Sequence, residues 1–358
     1  MKNFLLKLDW ILLISAFSLV GFGVLMIYSA SVGDFDKTSY VLRQVLYFVF
    51  GISLLFLSLF VGYKTLLHLS SWFYVTLVAL LIITFVLGLE TRGSVRWLDF
   101  GFFTLQASEI AKPILVLVLT NFFVSHTVAK ARNVIFSLFL ILVPAVLTFL
   151  QPDLGSAFVL LVIWFSLVYL SGLSWKKLLA MAIIVAVCLP IGYSSLRDYQ
   201  KARLTTFIDP YQDPLGSGYN IVQSIIAVGS GQFVGRGFGR GTQSHLNFLP
   251  EQKTDFIFAT TAEELGFLGI FTILVLFSLL LYRLVVIGNR ARKKSGQLLC
   301  YGAATVIVIQ LFVNAGMNMG IVPVTGITLP FISFGGSSLI SMLILVGLAE
   351  SVELDNKS

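Results

Sequence analysis

A chain of 358 residues that is 57% hydrophobic and only 11% charged, with a mean hydropathy of +0.94, excludes an ordinary soluble domain, where about a quarter of residues carry charge. The net charge of +7 is scattered through short connections between apolar runs, a pattern of membrane topology rather than of a nucleic-acid surface. Cys188 and Cys300 lie far apart in apolar segments and imply neither a disulfide framework nor a metal site.

Apolar runs long enough to cross a ~30 Å hydrocarbon layer as helices occur near 10–30, 44–62, 67–88, 109–125, 134–150, 157–171, 178–195, 265–287, 298–318 and 332–349. The first is read as a retained helix, because it is too long for a signal segment and no soluble domain follows it. The expected fold is an all-α polytopic membrane protein of about ten transmembrane helices, a single integral membrane domain over residues 1–358. An even number of crossings puts both termini on one side. One set of alternate connections carries Lys2, Lys7, Lys64, Lys130, Arg132, Lys176, Lys177, Arg283, Arg290, Arg292, Lys293, Lys294 and Lys357, against only Asp9, Glu350, Glu353 and Asp355. That basic excess marks the cytoplasmic side, so the termini are expected there and the loop 196–264, between helices seven and eight, faces outward.

Three outward segments are polar besides that loop. In residues 91–113, Ser108 is a candidate N-cap, and Glu109 and Lys112 share one helical face at the membrane surface. They are either a local ion pair or, with Arg92 and Arg96, a cationic patch for an anionic headgroup, in which Glu109 orients the lysine and Pro113 bends the first turn. Gln151-Pro152-Asp153-Leu154-Gly155 reads as a tight turn in which Asp153 is either a capping residue or a second acid for catalysis or metal binding. Residues 322–338 break an apolar run with two prolines and Gly-Gly-Ser-Ser; irregular backbone there suggests the lining of a polar cavity.

The loop itself opens with turns at Asp209-Pro210 and Asp213-Pro214, and continues with a helical apolar stripe over Tyr219 to Val228 that suits an interfacial helix. The run from Gly235 to Gly241 alternates glycine with Arg236 and Arg240; it is either a mobile loop or a cradle of backbone amides and guanidinium groups for a lipid-linked phosphate. Next comes Leu249-Pro250-Glu251-Gln252-Lys253-Thr254-Asp255, where Thr254 can cap a helix and Asp255, in the first turn, would stay ionised beside the helix N-terminus. Aromatic neighbours and a lipid surface make Asp255 the leading candidate for a general base, with simple capping as the alternative.

GTQSHLNFLPEQKTDFIFATTAEELG, with DPLGSGYNIVQSIIAVGSG, RGSVRWLDFG, SEIAKP, QPDLG and LPFISFGGSS, closely resembles the SEDS (shape, elongation, division and sporulation) proteins, the RodA/FtsW family, along essentially the whole chain. GTQSHLNF before Leu249 is similar to the rod-shape branch rather than the division branch. The resemblance implies a ten-helix inner-membrane glycosyltransferase that polymerises lipid II into peptidoglycan on the outer face, with a class B penicillin-binding protein as transpeptidase partner and other elongation-complex proteins nearby. It carries the family's essential aspartate to Asp255, its SEIAK pair to Glu109 and Lys112, its RW arginine to Arg96, and its QPDLG acid to Asp153. Ala-Thr-Thr at 259–261 departs from the commoner Ala-Val-Leu. No cofactor is required by the residues, although a divalent cation such as Mg2+ would assist a pyrophosphate leaving group. The alternative is a flippase for the same lipid-linked precursor.

Overall fold

A computed structural model describes residues 7–31, 37–91, 94–101, 103–181, 183, 201, 205–210, 218–245, 248–249 and 251–357. Its helices are α1 (Trp10–Ala30), α2 (Lys37–Val61), α3 (Tyr63–His68), α4 (Ser70–Leu87), α5 (Ala107–Ser125), α6 (Ala131–Leu150), α7 (Leu154–Leu170), α8 (Tyr219–Ser230), α9 (Thr242–His245), α10 (Ile257–Arg290), α11 (Lys294–Asn318) and α12 (Gly336–Asn356). Eight of these are long and apolar enough to cross a membrane, and α7 is a shorter apolar helix. The expected helix near 178–195 falls mostly outside the described residues, although 175–181 are helical.

Asp9 starts α1 by accepting the Leu12 amide at 3.0 Å, satisfying one of the donors a helix N-terminus leaves open. The bundle is centred on α12, nearly all of whose side chains are buried, and whose most extensive partner is α2. Small residues permit the approach: a Cβ on Gly347 would stand 2.6 Å from the Leu55 carbonyl, so any larger side chain would force α2 and α12 apart.

Ends of the bundle can be told apart by contact. Lys357 Nζ donates to the Lys7 carbonyl at 2.9 Å, Asp9 N to Glu350 Oε2 at 3.1 Å, and Lys294 Nζ to the Ser171 carbonyl at 3.0 Å, so both described chain ends lie at one end, here the terminal end. At this end the Tyr63 phenol, donating to Asp355 Oδ2 at 3.0 Å, is pushed up to about 12 by burial and then by that carboxylate. The opposite end holds Ala30, Gln151, Asp255 and Ser337.

Two features depart from the helical expectation. Residues 89–106 form a small antiparallel sheet, order β1-β2-β3: β1 (Leu89–Thr91), β2 (Ser94–Asp99) and β3 (Thr104–Gln106), with Trp97 opposite both Leu89 and Gln106. Its second turn is built by Asp99 Oδ1, which accepts the Gly101 amide at 2.8 Å, and by Gly101 at φ +81. The other departure is α10, which starts at Ile257 rather than near 265 and is broken at Gly266 (φ 64, ψ −158). A side chain there would strike the Phe233 carbonyl carbon at 2.8 Å, so glycine is required by both conformation and space.

Candidate active site

Asp255 sits in the turn 251–256 that leads into α10. It is not in the first helical turn, and Thr254 does not cap: the N-cap is Phe256, without a side-chain bond, and Thr254 Oγ1 turns back to Glu251 Oε2 at 3.0 Å. The backbone around Asp255 is held instead by tertiary contacts. Its carbonyl accepts from Asn314 Nδ2 at 3.0 Å and Asn318 Nδ2 at 2.9 Å, while Asn318 Oδ1 accepts the Ala259 amide at 3.1 Å. Thus one asparagine clamps both sides of the α10 start. Ser333 Oγ donates to the Thr254 carbonyl at 2.6 Å, and the Phe334 amide to the Lys253 carbonyl at 2.9 Å. Three successive carbonyls are fixed in this way, leaving a half-buried carboxylate whose Oδ2 would meet a Cβ on Gly326 at 3.4 Å. Gly326 also has φ +74, so the wall facing the acid is built for glycine.

Residues 319–335 are irregular, so the stretch expected over 322–338 ends at Gly335, and Gly336, Ser337 and Ser338 open the last helix instead. The buried backbone of the irregular residues is satisfied by side chains: Asn314 Nδ2 reaches the Ile327 carbonyl at 2.7 Å, and Gln44 spans the Ser333 carbonyl at 3.2 Å and the Gly335 amide at 3.3 Å. This stretch joins two expected sites. Gly326 faces Asp255, and a Cβ on Gly155 would stand 2.9 Å from Thr325 Cβ, so the Asp153 turn packs on the same segment.

Asp153 is a cap. Its Oδ1 accepts the Ser156 amide at 3.1 Å, and its Oδ2 accepts Gln106 Nε2 at 3.2 Å and Ser108 Oγ at 3.0 Å. Ser108 therefore does not cap α5, whose N-cap is Gln106; it ties α5 to the Asp153 turn. Arg96 on β2 serves the same joint, with Nε on the Gln151 carbonyl at 3.4 Å and Nη2 on the Pro152 carbonyl. Arg92 lies outside the described residues.

Glu109 and Lys112 pair at 2.5 Å, as their spacing suggests, but inside the bundle rather than on its surface. Lys112 is 0% exposed, and Glu109 Oε2 is buried without a partner. Pro113 is also buried, one residue on.

The glycine-rich run is occupied by its own chain. Breaking α10 at Gly266 frees the carbonyls of Glu263 and Glu264, and these accept the amides of Arg236 and Gly237 at 2.9 Å each. On the other side of the break, the amides of Phe267 and Leu268 donate to the carbonyls of Gln232 and Phe233 at 2.9 and 3.2 Å. The loop completes the interrupted helix. The Glu263 carboxylate then accepts the amides of Gln243 at 2.8 Å and Ser244 at 3.1 Å, and Glu264 accepts that of Gly239 at 3.1 Å. Within the run expected to cradle a phosphate, the amides of Arg236 and Gly237 are thus taken by carbonyls and that of Gly239 by a carboxylate, whereas the Arg236 and Arg240 side chains stay exposed, Arg236 Nη1 reaching Thr242 Oγ1 at 2.9 Å.

The sequence does not single out Asn314, Asn318 or Gln44, whereas Gly326 and Ser333 fall inside the 322–338 stretch expected to line a polar cavity. The asparagines had a readable signal, two amide side chains four residues apart in an apolar helix, where a polar group needs a buried partner. Among the described residues no three His, Cys, Asp or Glu side chains gather to hold a metal ion.

Known proteins share this architecture. The model of the FtsW/RodA/SpoVE family, described as cell cycle protein, matches residues 9–358. The peptidoglycan glycosyltransferase MrdB of Escherichia coli (strain K12) is 36% identical over 353 residues, covering 98% of this chain and 94% of that protein. The probable peptidoglycan glycosyltransferase FtsW of Thioalkalivibrio sulfidiphilus (strain HL-EbGR7) is 36% identical over 358 residues, covering 96% and 88%. A solved chain from a peptidoglycan synthase complex that coordinates polymerization and crosslinking superposes with a TM-score of 0.84 at 33% identity, and the rod shape determining protein RodA of Thermus thermophilus with 0.74 at 29%; each pairing covers 98% of both chains. With an aspartate held at the start of a broken helix and a family match that runs through every element positioning it, the chain belongs to the FtsW/RodA/SpoVE family.

Proposed function

We propose that the chain is a peptidoglycan glycosyltransferase, polymerising lipid II into glycan strands on the outer face of the cytoplasmic membrane during cell elongation and rod-shape maintenance. The relatives bearing that activity support the reading, and the observation that carries it is the fixed Asp255 backbone with its carboxylate left half-buried beside Gly326. The basic connections gather at the terminal end, which supports cytoplasmic termini and an outward Asp255.

Asp255 takes the proton from the acceptor sugar hydroxyl as that oxygen attacks the donor's anomeric carbon. The bond to pyrophosphate breaks, its electron pair leaves with the phosphate oxygen, and a single displacement inverts the sugar. Arg96, Arg236 and Arg240 retain guanidinium surface at or near solvent for the leaving group, whereas Lys112 is enclosed with Glu109 and bears on substrate only through a change in that packing. A flippase would set ionisable groups along a crossing route. Among the described residues the buried charged side chains gather at the two ends: Asp9, Glu350 and Glu353 at the terminal end, and Glu109, Lys112, Asp153, Glu263 and Glu264 at the other.

A class B penicillin-binding protein is the proposed partner, supported by the structural likeness to a chain of a synthase complex. Exposed apolar side chains on α10 and α11, including Phe271, Leu274 and Phe312, suit its transmembrane helix. Co-purification should survive deletion of the partner's soluble domain. The activity itself is tested with purified protein, lipid-linked disaccharide and a gel that resolves glycan polymer. Absence of polymer from the folded protein with its partner present would refute the enzyme.

A further inference from the structure

At the terminal end, the beginning of α6 and the helical residues 175–181 enclose an apolar pocket of about 360 Å³. Its walls come from Val128, Ala131, Val134, Leu173 and Met181, with Lys177 as the charged residue beside them. Lys130, Arg132 and Lys176 are chain neighbours of lining residues, and all four cations are exposed. No acidic residue occurs in 110–152 or 154–181 to neutralise them. The nearby basic Lys294 is already engaged by the Ser171 carbonyl. Trp175, 61% exposed, stands beside the cations, the side chain most suited to the level where acyl chains meet headgroups.

We infer that this pocket is a binding site for an anionic phospholipid of the leaflet on the terminal side. Its acyl chain occupies the apolar cleft, and its phosphate is held by Lys177 with Lys130, Arg132 and Lys176. Basic residues that only set topology need no cleft beside them, and bulk lipid that only coats a helix needs no cation in the wall; the two coincide here. The start of α6 adds to the attraction, since its N-terminus turns the positive end of the helix dipole towards the same cluster. The site is separate from the Asp255 region, which lies at the other end of the bundle.

The test uses the full-length protein in detergent, with phosphatidylglycerol and phosphatidylcholine of identical acyl chains as probes and native mass spectrometry to count retained lipid. Phosphatidylglycerol should be retained at least about fivefold more strongly, and Lys177→Gln should cost roughly fivefold, the weight of one basic residue at a lipid surface. Ala131→Phe and Ala180→Phe keep every cation but fill the cleft; both positions are exposed, so the fold tolerates them, and phosphatidylglycerol retention should fall to the phosphatidylcholine level. Soluble glycerol phosphate should fail to displace the lipid. Equal retention of the two lipids overturns the inference, as does displacement by glycerol phosphate. So does a result in which Lys177→Gln weakens binding while both phenylalanine variants bind normally, because the surface then attracts headgroups without a chain site.

Discussion

At Asp255 two roles share one position, cap and base. The N-cap of α10 is Phe256, and the turn before it is held through main-chain carbonyls by Asn314, Asn318 and Ser333. The start of the helix therefore has holders besides the carboxylate. Asp255→Asn should leave thermal stability and membrane insertion unchanged and reduce lipid II polymerisation by about 10² to 10⁴-fold, the usual range for a general base; turnover within a few-fold of native would remove Asp255 from the chemistry. Asn318→Ala should act differently. It leaves the Ala259 amide without its partner and removes one of two donors to Asp255 O, so stability should fall by roughly 1–3 kcal/mol along with activity, measured by unfolding in detergent. The Glu109–Lys112 pair admits an equally direct comparison. Lys112→Met strands a buried carboxylate, at a cost of about 3–5 kcal/mol, whereas the double change Lys112→Met with Glu109→Gln removes both charges and should recover most of that stability. Recovery of polymerisation in the double variant would make the pair structural; a stable but inactive double variant would assign Lys112 to substrate.

At the scale of elements, the sequence exposed the greasy helices and the polar turns, but not the joints between them. Periodicity and length locate α1, α4, α7 and α11 to within a few residues, because a run of about 20 apolar residues has little other use. They could not show that α10 starts at Ile257, ahead of the continuous apolar sequence that follows Glu264, and breaks at Gly266, since Ala-Thr-Thr-Ala-Glu-Glu reads as loop until a partner satisfies its backbone. That partner is the start of the glycine-rich run together with the residues just before it: the carbonyls of Gln232 and Phe233 and the amides of Arg236 and Gly237 replace the missing helix bonds. Its glycines thus answer to close packing: a Cβ on Gly235 would clash with the Glu264 carbonyl, and one on Gly231 with the Ala262 carbonyl. The same composition fits a phosphate cradle, and only the positions of Glu263 and Glu264 decide between them. Asp255 was legible from the motif, whereas Asn314 and Asn318 acquire meaning only when α11 is laid against the turn. Gly266→Ala should therefore cost about 1–3 kcal/mol or more through its positive φ and the Phe233 contact, and Glu263→Ala should free the Gln243 and Ser244 amides, both read as loss of protection of 231–244 in hydrogen exchange.

On the scale of the whole molecule, both described chain ends are fastened to each other at the end remote from Asp255. Asp9 caps α1, donates its own amide to Glu350 on α12, and takes Arg283 of α10 on both carboxylate oxygens, so three helices meet at one buried acid. Asp9 is 3% exposed, and the cation paired with its carboxylate is Arg283, whose side chain is only 17% exposed. Arg283→Ala would leave that acid uncompensated, and a loss of about 3–5 kcal/mol is expected, seen as a lower midpoint for thermal unfolding in detergent. Arg283→Lys should recover little, because a lysine lacks the planar fork that meets both oxygens of Asp9. The catalytic consequence follows from the geometry: the Asp255 backbone is held by α11 and Ser333, at the end of the bundle opposite Asp9. Below its lowered unfolding temperature Arg283→Ala should thus polymerise lipid II within a few-fold of native. A variant that stays folded but loses turnover would show that the two ends are coupled through α10, whose break at Gly266 lies between Arg283 and the turn that carries Asp255.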